Sequence, residues 1–139
     1  MISNLNDRTI KNNIAIVDDE RDLLFVYQKA LESNGYNINT FNDSYEALTE
    51  LKQHHEKYFL IISDIRMPKI DGFQLVNEVK LADPTLKIIL MSAYNISESD
   101  IIDNLNPGIS IDRFITKPIS LRELKDIIKM IAKNEKNRN

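Results

Sequence analysis

Five side chains that could carry phosphoryl chemistry come at the ends of short apolar runs. They are three carboxylates, a hydroxyl and an ammonium: Asp18, Asp19, Asp64, Ser92 and Lys117. Carboxylates gathered in one place repel one another and resist ionisation, so they need a cation. Oxygen ligands with room for water suit Mg²⁺. Catalysis of phosphoryl transfer is mostly positioning and charge neutralisation, so a metal, a lysine and a hydroxyl around Asp64 make it the predicted nucleophile.

Each of these residues alone has an ordinary structural interpretation. An aspartate after a strand is commonly a helix cap or a turn former. A lysine before a proline is commonly a solvated loop residue, and a serine that ends a strand commonly has no role. The chemical prediction therefore depends on whether the fold brings the ends of the apolar runs together.

The apolar runs themselves predict β-strands. There are five of them, of four to six residues: Ile14–Val17, Tyr36–Phe41, Tyr58–Ile62, Lys87–Met91 and Arg113–Thr116. Continuous apolarity is typical of strands that are buried on both faces of a parallel sheet. The second run instead alternates between apolar and polar residues, which predicts a strand at the edge of the sheet.

Segments whose apolar residues recur at helical spacing follow each of the predicted strands. Each helix has a start or stop signal: Asn34-Gly35 ends the first, Asp43 or Ser44 caps the second, Gly72 opens the third, a weaker fourth covers about 98–105, and Ser120 with Glu123 caps the fifth. The resulting (βα)5 order predicts an α/β fold with a doubly wound, five-stranded parallel sheet. Ligands bind beyond the carboxyl ends of such strands, so the five polar side chains should converge there.

Composition predicts one ordinary intracellular domain. The chain has 139 residues, a net charge of −3, three glycines and no cysteine, which excludes disulfides, Cys-ligated zinc and a phosphate-cradling glycine loop. The N-terminus lacks the apolar core of a signal peptide, and no basic surplus favours a nucleic acid or a membrane surface. We expect a polar extension over 1–11, one domain over 12–132 and a flexible tail over 133–139, with no attached output domain and a cytoplasmic location.

Four segments carry a family resemblance. They are 14–20 (IAIVDDE), 61–72 (IISDIRMPKIDG), 90–93 (LMSA) and 114–118 (FITKP). Each segment alone is modest, but all four in this order are specific, and together they resemble the receiver domain of two-component response regulators. The resemblance covers about residues 12–132 and implies the flavodoxin-like (βα)5 receiver fold.

The resemblance also implies a role for individual residues. Asp64 would accept a phosphoryl group from the phosphohistidine of a histidine kinase or a histidine phosphotransfer protein. Mg²⁺, or Mn²⁺, would be held by Asp19 and Asp64, by Asp18 through water and by the backbone carbonyl of Arg66. Lys117 would hold one phosphoryl oxygen, and Ser92 would swing towards another. Phe114 would turn inward as the switch aromatic, and Pro118 would follow a cis peptide bond.

The output of such a switch would be binding to an unidentified protein target, as a monomer or a phosphorylation-dependent dimer. The surface would be the one formed by the last two helices and the last strand.

Arg66 and Tyr94 lie two residues beyond Asp64 and Ser92, where the family tunes hydrolysis of its acyl phosphate, and their bulk predicts slow dephosphorylation. They also fit plain surface positions. Lys117 comes 25 positions after Ser92, which predicts a short fourth helix or a longer loop.

Other functions fit the residues less well. A haloacid-dehalogenase-like phosphohydrolase would use Asp64 covalently but needs an aspartate two positions later, where this chain has Arg66. A receiver-like module that works without phosphorylation would not need the complete set of acidic, hydroxyl and lysine residues. A flavodoxin-type cofactor binder would need a hydroxyl-rich loop after its first strand, and this chain has none there.

The pair His54-His55 is predicted to be solvated. Gly72 is predicted either to belong to the family's loop or simply to end a loop.

Overall fold

One parallel sheet organises the chain. The structure is a computed structural model that describes residues 12–137, so the predicted extension over 1–11 lies outside the described residues. The strands lie in the order β2-β1-β3-β4-β5, all parallel. Their bounds are β1 (Asn13–Val17), β2 (Asn37–Phe41), β3 (Tyr58–Asp64), β4 (Lys87–Ser92) and β5 (Arg113–Thr116). The doubly wound (βα)5 fold that the sequence predicts is confirmed.

Helices cover both faces of this sheet. They are α1 (Arg21–Glu32), α2 (Ser44–Gln53), α3 (Gly72–Ala82), α4 (Glu98–Asn104) and α5 (Leu121–Asn137), with a 3₁₀ turn at His55–Lys57. Buried residues of α1 and α5 pack in one apolar cluster, and those of α2 and α3 pack in another. None of the helices in residues 12–137 is both long and apolar enough to cross a membrane.

The central strands contribute to both clusters because side chains alternate along a strand. In β1, Ile14 and Ile16 lie in the cluster with α1 and α5, whereas Ala15 and Val17 lie in the cluster with α2 and α3. All of these side chains are fully buried. Two-sided burial explains why the central strands read as continuous apolar runs.

The two edges of the sheet differ in how well the sequence predicts them. The alternating strand β2 is an edge strand, as expected. The fifth run is among those expected to be buried on both faces, but β5 forms the opposite edge of the sheet and pairs with β4. Arg113 and Thr116 of β5 are exposed. The apolar part of the run is only two residues long, too short to distinguish an edge from a centre.

Polar side chains fix where the helices begin. Asp43 caps α2 by accepting hydrogen bonds from the backbone of Tyr45 and Glu46. Asp71 forms a capping box with Gln74 at the start of α3, and Ser120 accepts from the backbone of Glu123 at α5. Each cap satisfies backbone N–H groups that have no partner inside the helix.

Three local features differ from the sequence-based expectations or refine them. The helix α5 continues through Asn137, past the predicted boundary at residue 133, and the flexibility of 133–139 stays a prediction. The fourth helix is short, and a long loop leads from it to β5, leaving a cleft of about 690 Å³ between them. His55, predicted to be solvated, instead contacts Asp83, with 3.0 Å between Nδ1 and Oδ2.

Candidate functional site

The five side chains singled out by the sequence lie together at the carboxyl edge of the sheet. The Nζ atom of Lys117 lies 2.9 Å from Oδ2 of Asp18 and 3.5 Å from Oδ1 of Asp64. Carboxylate oxygens of Asp18, Asp19 and Asp64 lie within 4.8 Å of one another. Ser92 is buried at the end of β4, next to β3 in the sheet. The convergence follows from the parallel sheet, which places all the carboxyl ends at one edge.

Burial dominates the electrostatics of Asp64. Its side chain is 11% exposed, and burial raises its pKa from the ordinary value of 3.8 to about 6. The ammonium of Lys117 opposes this rise, whereas the carboxylates of Asp18 and Asp19 add to it. Desolvation and like charges both disfavour an ionised carboxyl. A cation placed beside Asp64 would therefore stabilise the ionised form of its carboxyl group.

Lys117 is fixed through both its backbone and its side chain. Its backbone N–H donates to the carbonyl of Ser92 at 2.7 Å, which joins the ends of β5 and β4. The peptide bond to Pro118 is cis, as the family resemblance implies. Burial alone would lower the pKa of Lys117, but its hydrogen bond and ion pair with Asp18 outweigh burial and raise the pKa. The lysine therefore remains charged at neutral pH.

Asp18 is fully buried and is fixed by two different groups. One oxygen accepts from Nζ of Lys117, and the other accepts from the backbone N–H of Glu20 at 2.9 Å. Tyr27 on α1 is near enough to interact electrostatically with Asp18, Asp64 and Lys117, and burial raises the pKa of its hydroxyl. Tyr27 lies at helical spacing with apolar residues of α1, and nothing in the sequence relates it to the site.

The loop that follows Asp64 closes back on the strand end. The backbone N–H of Gly72 donates to the carbonyl of Ile65 at 2.7 Å. A Cβ atom at Gly72 would lie 2.6 Å from the carbonyl oxygen of Asp64, closer than side chains approach backbone atoms. Gly72 is therefore more than loop punctuation, because only glycine allows α3 to begin directly against the candidate phosphoacceptor.

The side chains of Arg66 and Tyr94 contact each other. The guanidinium carbon of Arg66 lies 4.5 Å from the centroid of the Tyr94 ring, which is cation–π geometry. Both side chains are exposed. The backbone N–H of Tyr94 also donates to Oγ of Ser92 at 3.1 Å. Arg66 and Tyr94 thus contact each other, and a backbone hydrogen bond connects Tyr94 to Ser92.

Phe114 lies in β5 opposite Leu90 of β4. It is partly buried, packs against the apolar cluster that includes α2 and α3, and lines the cleft between α4 and the loop before β5. The ring is thus near open space rather than locked in the core. A half-buried aromatic beside a cleft has room to change its position.

The charges of the site fit a divalent cation. Asp18, Asp19 and Asp64 form the cluster of possible metal ligands found in residues 12–137. Within the described residues, Lys117 forms ion pairs with two members of this cluster, Asp18 and Asp64. One ammonium leaves a surplus of negative charge among partly buried carboxylates, which is costly unless a cation offsets it. Hard oxygen donors are the ligands that Mg²⁺ prefers.

The fold and this site define the class of protein. The sequence matches the response regulator receiver domain over residues 14–129, and the chain belongs to this family. Receiver domains are signalling switches of two-component systems, and they interact with histidine kinases and phosphotransfer proteins. Phosphorylation and Mg²⁺ are typical of the family, and the acidic pocket fits Mg²⁺ binding and phosphorylation of an aspartate.

Individual relatives agree with this assignment. The chain is 32% identical to the alkaline phosphatase synthesis transcriptional regulatory protein PhoP of Bacillus subtilis, over 89% of this chain and 50% of PhoP. The chain thus spans about half the length of this relative. A CheY-like receiver domain protein from Methanospirillum hungatei has a TM-score of 0.82 at 27% identity, covering 94% of this chain and all of that chain. The response regulator TrrA of Thermotoga maritima, solved in complex with Mg²⁺-BeF, has a TM-score of 0.74 at 30% identity, covering 86% of this chain and 98% of TrrA.

Proposed function

We propose that this chain is a phosphorylatable switch in which Asp64 accepts a phosphoryl group. The observation that carries the proposal is the contact of Asp64 with Lys117 at 3.5 Å, inside a cluster of three carboxylates. The donor would be the phosphohistidine of a histidine kinase or of a histidine phosphotransfer protein. The relative solved with Mg²⁺-BeF supports a divalent metal as the cofactor.

The transfer forms one bond and breaks another. A carboxylate oxygen of Asp64 attacks phosphorus, the bond between phosphorus and the imidazole nitrogen breaks, and the electron pair returns to that nitrogen. The product is an acyl phosphate on Asp64. Asp18, Asp19, Asp64 and the backbone carbonyl of Arg66 would hold Mg²⁺, or Mn²⁺. When bound, this ion neutralises charge on the phosphoryl oxygens. Lys117 would bind one of those oxygens.

Ser92 and Phe114 would convert the phosphoryl group into a change of surface. Oγ of Ser92 accepts a hydrogen bond from the backbone N–H of Tyr94. A new phosphoryl oxygen at Asp64 offers this hydroxyl an acceptor, so the side chain would swing towards it. Phe114 would turn inward as Ser92 moves. Phosphorylation thus acts as a local electrostatic change that biases a two-state element.

Hydrolysis of the acyl phosphate would return the switch to its resting state. Arg66 and Tyr94 would slow this step, because Arg66 follows Asp64 by two residues and stacks on Tyr94, whose backbone N–H donates to Ser92. Water would then reach phosphorus only when the stack opens. The chain would catalyse its own phosphorylation and dephosphorylation and no other reaction.

The partners and the setting of this switch follow from the same proposal. Its output would be binding to a protein target in the cytoplasm, without direct contact with nucleic acid or membrane, as a monomer or a phosphorylation-dependent dimer. That no output domain is attached stays a prediction. The phosphohydrolase alternative is disfavoured because Arg66, which stands where a general acid would be needed, stacks on Tyr94.

The test is phosphorylation by a small phosphodonor. The parent chain, incubated with Mg²⁺ and acetyl phosphate, should gain the mass of one phosphoryl group, and the Asp64→Asn variant should not. Asp103→Asn is the matched control, because Asp103 is an exposed aspartate on α4. Absence of any mass increase in the parent would refute the switch. Turnover of generic phosphomonoesters would instead support the phosphohydrolase.

A further inference from the structure

The loop between β3 and α3 contains a strained turn. Lys69 has φ of +76°, and the backbone N–H of Ile70 donates to the carbonyl of Pro68 at 3.0 Å. A hydrogen bond between residues two apart around a positive φ is the pattern of a γ-turn of the rare, strained type. A non-glycine residue keeps such a conformation only where the surrounding structure enforces it, and such residues concentrate at functional sites.

The start of α2 holds this turn from both sides. Ser44 is 3% exposed, and its Oγ atom donates to the carbonyl of Pro68 at 2.8 Å while accepting from the N–H of Ile70 at 3.3 Å. The hydroxyl thus bridges the two residues that flank Lys69. A buried hydroxyl that uses its donor and an acceptor in this way defines the relative positions of the groups it joins.

The neighbours of Ser44 hold the side chain of Lys69. Its ammonium forms an ion pair with the carboxylate of Asp43 and lies 5.7 Å from the centroid of the Tyr45 ring. Asp43 also accepts from two backbone N–H groups at the start of α2. Three consecutive residues of one helix start therefore contact the same strained turn.

The turn lies within the loop that bears on the phosphoryl chemistry. Arg66, whose backbone carbonyl is the proposed metal ligand, lies two residues before Pro68. Gly72, which packs against the carbonyl of Asp64, lies two residues after Ile70. With Ile65 bonded to β4 and Gly72 bonded to Ile65, the loop is fixed at its two ends by the sheet and in its middle by α2.

We propose that the start of α2 is a clamp that holds the phosphoacceptor loop in its metal-binding conformation, with Ser44 as the positioning residue. The inference rests on the proposed function, because the metal is the one assigned there. Ser44 touches neither the metal nor the phosphoryl group. It acts by fixing the Pro68–Ile70 turn, so that the loop that carries the Arg66 carbonyl is already ordered when the metal binds.

The proposal is tested with Ser44→Ala, which removes the bridging oxygen. Residues that orient metal ligands typically change metal affinity by about 10- to 100-fold, so we expect Mg²⁺ to bind about tenfold more weakly by calorimetry. In metal-free buffer the amide of Ile70 should exchange its hydrogen faster than in the parent chain. Phosphorylation of Asp64 by acetyl phosphate should recover when the Mg²⁺ concentration is raised to saturation.

Three variants separate positioning from general loss of stability. Ser44→Thr keeps the bridging oxygen and should restore Mg²⁺ affinity. Ser33→Ala removes an exposed hydroxyl that bonds the end of α1, and Ile128→Val trims a buried side chain in the cluster on the other face of the sheet. Both controls should leave Mg²⁺ affinity and the exchange of Ile70 unchanged.

The possible outcomes distinguish this inference from the proposed function. A parent chain that neither binds Mg²⁺ nor becomes phosphorylated refutes the proposed function and, with it, the role proposed for Ser44. A parent that does both, beside a folded Ser44→Ala variant with the same Mg²⁺ affinity and Ile70 exchange, refutes the clamp alone. If Ser44→Ala does not fold, Ser44→Cys replaces it, since a thiol is a much weaker hydrogen-bonding group, and must show the same two effects.

Discussion

A single methyl group added at Gly72 should lower both the stability of the fold and the rate at which Asp64 is phosphorylated. In Gly72→Ala the new Cβ would lie 2.6 Å from the carbonyl oxygen of Asp64 and 2.9 Å from Cα of Ile65. Both atoms belong to the backbone, so no side chain can rotate out of the way. To reach even 3.0 Å, the start of α3 and the end of β3 must separate by about 0.4 Å.

The cost of this substitution follows from overpacking. Inserting a methylene-sized group into a tight site costs about 1–3 kcal/mol, and alanine in place of glycine in a helix returns about 0.5–1 kcal/mol. The difference between these ranges is about 0–2.5 kcal/mol, and from its middle we expect Gly72→Ala to lower the free energy of unfolding by about 1 kcal/mol in urea titrations. Because displacements of about 1 Å in a reacting geometry can cost 100-fold in rate, phosphorylation of Asp64 should slow by about tenfold.

Gly35→Ala is the matched control for this prediction. Gly35 has φ of +93°, so alanine is strained there too, but an added Cβ would meet no atom within 4 Å. The control should lose stability through its backbone conformation and keep the parent's rate of phosphorylation by acetyl phosphate. A Gly72→Ala variant that is phosphorylated at the parent's rate would show that the close approach of α3 does not position Asp64, and the reasoning would be wrong.

Two further predictions concern Asp64 and the stacked pair. Burial raises the pKa of Asp64 from 3.8 to about 6, so in metal-free buffer its contribution to stability is present below about pH 3.8 and is lost as the pH rises through about 6. Asp64→Asn should then be up to about 3 kcal/mol more stable than the parent above pH 6 and gain little near pH 4, as measured by urea midpoints in EDTA; a difference that stays constant with pH would contradict this. Arg66→Ala and Tyr94→Ala should each speed loss of the phosphoryl group about two- to fivefold, from an exposed cation–π contact of about 0.5–1 kcal/mol. The double variant should be no faster than either single one, and additive effects would show that the two side chains act separately.

The main features of the site could be predicted because a parallel sheet aligns its strand ends. Asp18, Asp64 and Lys117 are far apart in sequence, but each follows an apolar run, and the (βα)5 order brings all such positions to one edge. Helix starts could be predicted to within about a residue for a different reason, because their signals are local. A cap such as Asp43 or Ser120 satisfies backbone groups only a few residues away.

Features that depend on contacts between loops could not be predicted. Nothing in the sequence relates Ser44 to Pro68, and the signal for a helix cap could not say whether Asp43 or Ser44 was the cap. The contact between His55 and Asp83 joins two different loops in the same way. The stacking of Arg66 on Tyr94 likewise requires the conformations of two loops at once, which local propensity does not determine.

The composition of the two edge strands has a consequence for self-association. An edge strand leaves backbone groups that can pair with another chain, so an apolar, flat edge is an aggregation hazard. Here β2 places the exposed side chains of Asn37 and Asn39 on its surface, and β5 is four residues long with exposed Arg113 and Thr116. Short, polar and charged edges oppose strand-to-strand polymerisation. A sheet whose three central strands are almost entirely apolar is thereby protected from joining the sheet of a second molecule.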